Sequence, residues 1–484
     1  MKKYIQIKGI TLVSLIITVI ILLILAGVGI GLFGGDGLIQ KARVAREQTE
    51  IEEEKEIVET SVVEAVSINR YGNIEKSELE VYIQKNANER PTEVIEDVGF
   101  LYAHFKDTDR YYKVEDDGDV SNPIEKESDA YAGDITKGGK CDGTEENPYE
   151  INCIEDLIAF SMSTNINNET YSGKYIVLKR DLNFNSIFSY NDYRTSEYDE
   201  YLEGDGTVEL KTQLANNGFK TIACISSGYR YFKGTFDGQR HRILGLYEKN
   251  NNRGLFGDVS NATIKNLYVE GRIESEISAG GIIDSAYNSY IYNCISNITL
   301  SGQTVGGIAG ISTSSYFINC ANIGDISGKW QAGVGGIIGV SNGNNYIYNS
   351  YNVGNLIMTS GNSYCGAGGI AGCIIADNIT MENCYNIGSL DSSLYKGGII
   401  GSSNTTTTIT INNCYYIDNV TTGVGNSEGG TRITLAQAKN TEKIDEKYII
   451  ELLNSYVSTN INVTERNVQL KSWKLGEDGY PTFE

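Results

Sequence analysis

Apolar and polar positions along this chain fall into three successive patterns, each predicting a different kind of element. From Ile10 to Phe33 no residue is charged, and Lys2, Lys3 and Lys8 stand just before that run. Its twenty-four residues, at about 1.5 Å each, make roughly 36 Å of helix, enough to cross a hydrocarbon core of about 30 Å. Lysines kept on the cytoplasmic side place everything after Phe33 outside. A cleaved secretory signal would carry a shorter apolar region and a small-residue processing site. After the break at Gly34-Gly35-Asp36-Gly37, apolar residues at Leu38, Ala42, Ala45, Ile57, Val58, Val62, Ala65 and Val66 recur at helical spacing on a charged background. This predicts a stalk helix within 34–70. Residues 71–120 then suit a small α+β unit, with a short helix around Lys76 to Lys85 and strands Val98 to Phe105 and Tyr111 to Val114. Residues 121–140 are polar and aperiodic, as a linker would be.

The third pattern is repetition. Five times the chain gives a Gly-Gly-Ile, a polar loop, a strand ending at Asn-Cys or its equivalent, and a second strand. The glycine pairs are Gly280-Gly281, Gly306-Gly307, Gly335-Gly336, Gly368-Gly369 and Gly397-Gly398, spaced 26, 29, 33 and 29 apart. The asparagines Asn293, Asn319, Asn349, Asn383 and Asn413 are spaced 26, 30, 34 and 30 apart, so the two markers drift together and insertions fall between fixed points. An earlier unit with Gly254-Leu255-Phe256-Gly257 and Asn266 fits the same frame. A unit of this size cannot bury its own apolar face, so the units must stack, with strands about 4.8 Å apart and like residues in ladders. Glycine pairs suit tight corners and positive φ. The asparagines are expected to ladder their amides along the axis. Cys294, Cys320, Ser350, Cys384 and Cys414 share one column, which points to small buried side chains.

Composition agrees and narrows the partners. With 54 Gly, 4 Pro and 33 Tyr the chain suits many short strands. Its net charge of −22 excludes nucleic acid as the natural partner. The charge is uneven: Lys41 to Asp129 holds 12 basic and 24 acidic residues, whereas Gly254 to Gly430 holds only 4 and 11.

The segment Lys8-Gly9-Ile10-Thr11-Leu12-Val13-Ser14 resembles the processing site of type IV prepilins and pseudopilins. The resemblance implies cleavage between Gly9 and Ile10, methylation of the new N-terminus, and a role beside pilin-like subunits. Ser14 departs from the glutamate usual at that position, so a membrane-resident or minor subunit is implied rather than a major one. The motifs Val305-Gly306-Gly307-Ile308-Ala309-Gly310 and Val334-Gly335-Gly336-Ile337-Ile338-Gly339 resemble GLUG-repeat surface proteins. The same holds for Gly143-Thr144, Asp181-Leu182, Gly234-Thr235-Phe236-Asp237-Gly238, and the closing Trp473-Lys474-Leu475 with Gly479-Tyr480-Pro481-Thr482. This likeness spans roughly Gly143 to Glu484, and implies a right-handed parallel β-helix with a surface or adhesion role.

The expected organisation is a leader 1–9, a transmembrane helix 10–33, the stalk 34–70, the small domain 71–120 and the linker 121–140. An N-terminal cap with first coils follows in 141–253, then the repeat solenoid 254–430 and a C-terminal cap 431–484. The fold class is mainly β, a right-handed parallel β-solenoid preceded by a long helix and an α+β unit. A helix at Ile154 to Ser161 is expected to cover the first coil.

Little in the sequence points to catalysis. Only His104 and His241 are present, no zinc-spaced cysteine cluster occurs, and the repeat acids stand singly. No cofactor or metal is expected. Asp199, Glu200 and Asp205 could hold calcium but suit an ordinary acidic loop better, and Cys141 with Cys153 is a candidate disulfide. The expected protein is therefore not an enzyme. It is a single-pass membrane-anchored, extracytoplasmic adhesion or scaffold protein, with a minor pilin and a β-helix polysaccharide enzyme as alternatives. A glycan or protein would be its extracellular ligand, met by a face carrying Tyr290, Tyr316, Tyr346 and Tyr364.

Overall fold

The computed structural model describes residues 36–68, 74–97, 100–108, 110–115, 118–123, 133–165, 167–184, 219–223, 231–250, 253–329, 333–359, 366–392, 395–404, 406–417, 421–425, 428–460 and 467–484. The leader with Gly9, Ile10 and Ser14, the apolar run to Phe33, the loop with Asp199, Glu200 and Asp205, and Tyr364 lie outside these residues. Among the described residues no helix is long and apolar enough to cross a membrane. The chain divides into two compact units, residues 1–125 and 126–484.

In the first unit the helix Asp36–Ile68 is only partly a solvated stalk. Its later turns pack Val58 and Val62 with Leu79 and Ile83 of the helix Lys76–Asn86 and with Ala103, Phe105 and Tyr112, and Ala65 is fully buried as well. Those last three belong to an antiparallel meander of Thr92–Asp97, Phe100–Phe105 and Arg110–Val114. The first of these strands has no counterpart in the sequence reading, because Thr-Glu-Val-Ile-Glu-Asp carries too few apolar residues to stand out. Glu54 is fully buried in this junction. Arg90 Nη2 donates to it at 2.6 Å, the Tyr112 hydroxyl at 2.7 Å and the Thr108 hydroxyl at 2.8 Å. A buried carboxylate with that many donors ties helix to sheet, and loss of either side would leave charge uncompensated.

The second unit is a parallel β-solenoid of about seven turns. Every coil lies on the next in register. Phe236, Ile264, Ile291, Phe317, Ile347 and Met381 form one inward column, all fully buried. Ile282, Ile308, Ile337, Ile370 and Ile399, each following a glycine pair, form another, also fully buried. Alternate residues point inward and outward, so register fixes which half of each strand is core. The first coils are closed by the helix Ile154–Asn165, which buries Ile154, Leu157, Ile158 and Phe160. Phe160 meets Tyr171, Phe232, Phe236 and Phe256 in an aromatic cluster at centroid distances of 5.0–6.4 Å. Asp156 anchors that helix, accepting from Lys137 Nζ at 2.5 Å and from the backbone of Gly133 and Asn152.

The glycine pairs do not act as the sequence suggests. None of the ten has positive φ. They are needed instead because neighbouring chain comes too close. A Cβ on Gly306 would stand 1.9 Å from the Ala309 carbonyl oxygen, and one on Gly307 2.1 Å from that of Gly336. Positive φ belongs to the asparagines: Asn266, Asn293, Asn319, Asn349, Asn383 and Asn413 all lie between 49° and 58°. Asparagine tolerates this left-handed conformation better than other residues with a Cβ, so it makes the bend in each coil.

Candidate binding surface

The bend asparagines are joined into one chain of hydrogen bonds. Asn413 donates its amide to Asn383, Asn383 to Asn349, Asn349 to Asn319, Asn319 to Asn293, and Asn293 to Asn266, at 2.5–2.8 Å. Asn266 then donates to the Asp237 carboxylate at 2.9 Å, and the Tyr415 hydroxyl donates to Asn413 at 2.6 Å. All donors point one way, with a hydroxyl at one end and a carboxylate at the other, an order in which successive bonds polarise one another. A second ladder, not anticipated, runs inside: Asn322 donates to Asn352 and Asn352 to Asn386, each at 2.7 Å. Its sequence signal was present as Asn-Ile/Val-Gly three residues after Asn319, Asn349 and Asn383.

The outer ladder also holds the C-terminal segment. Strand Thr431–Ile433 pairs with Tyr415–Ile417 at the end of the solenoid. The chain then turns back along the flank instead of resting over the end. Asn319 donates to the Gln469 carbonyl at 2.8 Å, and Lys471 N–H donates to Asn319 at 3.0 Å. Asn349 donates to the Lys471 carbonyl at 3.0 Å and accepts from Trp473 Nε1 at 2.7 Å. Trp473 and Phe483 cover the outward column of Tyr351 and Tyr385, and Tyr385 donates to the Pro481 carbonyl. The helix Ile449–Thr459 lies on the same flank through Ile449, Leu453, Tyr456 and Val457, and Tyr456 donates to Glu382.

Tyr290, Tyr316 and Tyr346 stand in one outward column. Their rings stack 4.7 and 4.5 Å apart with planes within 9° of parallel. Their inner faces therefore meet each other, and the stack presents mainly edges and hydroxyls outward. Cys294, Cys320, Ser350, Cys384 and Cys414 are buried in one column, the cysteines as free thiols. Burial pushes the Cys320 thiol up to about 12. Cys141 and Cys153 are free thiols as well.

Beyond the bend at Gly324 the wall is bare. The outward residues there are short: Thr299 and Ser301 on one coil, and Ser327 in register with Ser301 on the next. Taller side chains rise around them, Lys249, Arg272 and Glu274 on earlier coils, and Asp325, Lys329 and Ile357 on later ones. The height difference leaves an open trough of about 520 Å³. Arg272 and Glu274 are paired at 2.5 Å, and Asp325 accepts from the Asn355 backbone at 2.8 Å. A hydroxyl floor between charged rims offers donors and acceptors in close succession, which suits a polar, polyhydroxylated or peptide ligand.

The remaining polar clusters are structural. Buried Glu248 accepts from Gly254 N–H at 2.8 Å, and Arg253 donates to buried Asp284 at 3.0 Å. Burial pushes the Glu248 carboxyl up to about 8 and that of Asp284 to about 6. His241 bonds Asp181 of another coil at 3.3 Å, and His104 bonds Glu93 at 3.0 Å while stacking on Tyr111. Among the described residues no group of three His, Cys, Asp or Glu is placed to hold a metal ion.

No family model and no curated protein matches this chain. Among solved structures it is similar to a "putative immunoglobulin A1 protease" from Bacteroides ovatus, with 21% identity and a TM-score of 0.48, over 74% of this chain and 99% of that one. A likeness at that level assigns no activity here.

Proposed function

We propose that this chain is a non-catalytic surface repeat protein, held at the membrane by its apolar segment 10–33, whose solenoid wall binds an extracellular glycan or protein. The observation that carries this reading is the bare trough over Thr299, Ser301 and Ser327, left open on a solenoid whose adjoining flank is covered by its own C-terminus. The right-handed coil, the kinship with GLUG-repeat surface proteins and the prepilin-type cleavage at Gly9 belong to the same proposal. Each rests on the sequence motifs. Hydroxyls, one guanidinium and carboxylates at the rim can bond sugar hydroxyls or peptide groups without a nucleophile or a metal. The test is binding of the full chain to a glycan array and to whole cells, with Arg272→Ala and Ser301→Tyr as variants. Binding lost in both variants supports the trough, and binding unchanged in both rules it out. Hydrolysis of any arrayed glycan would overturn the non-catalytic reading.

A second reading, a minor pilin, is favoured only by Lys8-Gly9-Ile10. Deleting the prepilin peptidase separates it: surface display that does not change when N-terminal trimming is lost excludes a filament role.

A further inference from the structure

The last coil of the solenoid carries the strands Tyr395–Gly397, Ile400–Ser403, Thr408–Asn412 and Tyr415–Ile417, and the chain itself covers part of this end. Residues 422–425 lie against residues 398–400: Gly398 N–H donates to Thr422, Ile399 N–H to Gly423, and Gly425 N–H to Ile400, at 2.8–2.9 Å. Thr431–Ile433 covers Tyr415–Ile417. The strand Thr408–Asn412 pairs with Asn378–Glu382 on one side and, among the described residues, with no strand on the other. Thr408 N–H donates to Asp377, and the Asn412 carbonyl accepts from Asn383. By the alternation of a parallel ladder, the N–H and C=O groups of Ile409 and Ile411 then point away from the solenoid. Their side chains are half-exposed, although Ile379 and Met381, one coil earlier in the same columns, are fully buried.

Proteins usually protect such an edge with lysine, proline or a bulge. This one has none: residues 397–417 are twenty-one consecutive positions without Asp, Glu, Lys or Arg, in a chain of net charge −22. Two copies of so acidic a protein would repel over most of their surface, and least of all here. The strand is also self-complementary. Its order Thr-Ile-Thr-Ile-Asn reads nearly alike in both directions about Thr410. Two copies laid antiparallel would set Ile409 opposite Ile411, where the outward-pointing backbone groups can form hydrogen-bonded pairs, and Thr410 opposite its own equivalent.

We propose that Thr408–Asn412 is a homodimer contact, through which the free end of one solenoid pairs antiparallel with the same strand of a second copy about a two-fold axis. A single five-residue edge belongs to the small, reversible class of interfaces, so association depends on local concentration. In this register Thr410 faces Thr410 as a non-hydrogen-bonded pair, with Cα atoms about 4.5 Å apart, within disulfide range.

The test uses the full chain in detergent. With oxidised glutathione as oxidant, which takes up the two electrons and two protons of the thiols as it is reduced, Thr410→Cys is expected to give a disulfide-linked dimer. Thr299→Cys in the trough and the unaltered chain, whose cysteines are all but Cys141 buried among the described residues, are expected not to. Sedimentation of the unaltered chain is expected to show a reversible monomer–dimer equilibrium. Thr410→Asp, an exposed change that leaves the core alone, is expected to weaken it at least about tenfold by placing like charges face to face. Cross-linking of Thr410→Cys no greater than that of Thr299→Cys overturns the proposal. So does an unaltered chain that stays monomeric at every concentration, as an edge reserved for a strand of another protein would leave it.

Discussion

The bend that recurs in successive coils at Gly324, Gly354 and Gly388 separates, within each coil, two stretches of one solenoid wall, made by the same alternating strands with opposite outcomes. Before it, the outward column grows to Tyr351, Tyr385 and Tyr415, and the C-terminal segment lies on it through Trp473 and Phe483. After it, the column shrinks to Thr299, Ser301 and Ser327 and stays open. The repeat backbone is the same on both sides, so outward side-chain size decides which stretch becomes a second core. An exposed tyrosine ladder is enough apolar area to hold a covering segment, and a hydroxyl row is not. The ladder asparagines sharpen the contrast, because Asn319 and Asn349 spend polar capacity both along the axis and on the covering chain.

If the covered stretch is a true core, Trp473→Ala should be the most damaging change. It removes a nearly fully buried ring and the bond to Asn349, for an expected loss of about 3–5 kcal/mol in denaturant unfolding. A loss below about 1 kcal/mol would mean the segment merely rests there. Asn349→Ala should follow, at about 2–4 kcal/mol, because it breaks the ladder, strands Trp473 and places alanine at positive φ. Asn349→Gly should recover about 1 kcal/mol of this, the conformational part alone.

A pH titration tests the polar cluster near the first repeats. Glu248 and Asp284 have folded values raised to about 8 and about 6. Between the ordinary carboxylate range and those values the folded chain keeps protons that the unfolded chain has released. Their contribution is therefore full in acid and is lost as pH rises through 6 and then 8. Glu248→Gln should flatten the fall in stability between about pH 4 and 8, by up to about 1.4 kcal/mol per pH unit. Identical slopes in the two proteins would refute the assignment. The smallest effect belongs to the bare stretch: Arg272→Ala and Ser301→Tyr should shift stability by no more than about 0.5 kcal/mol while removing ligand binding.

The repeats, their parallel stacking and the asparagine ladder were legible because Asn293, Asn319, Asn349, Asn383 and Asn413 keep pace with the glycine pairs. In a solenoid a residue's neighbour in space is its counterpart in the next unit, so spacing along the chain is already tertiary information. The division of labour between glycine and asparagine was not legible. Both residues favour turns, and only the coordinates reveal that glycine is required by neighbouring atoms, mostly carbonyl oxygens, 1.9–2.1 Å from a would-be Cβ.

The sequence by itself determined which residues share a column and that the columns must stack, since each short unit lacks a core of its own. Only the tertiary structure decided what lies outside the columns: that helix Asp36–Ile68 buries Glu54 among Arg90, Thr108 and Tyr112, and that the last residues return along the flank. It alone left the trough at Ser301 open. These contacts join segments far apart in the chain and outside the repeat, and no periodicity encodes a pairing that occurs once.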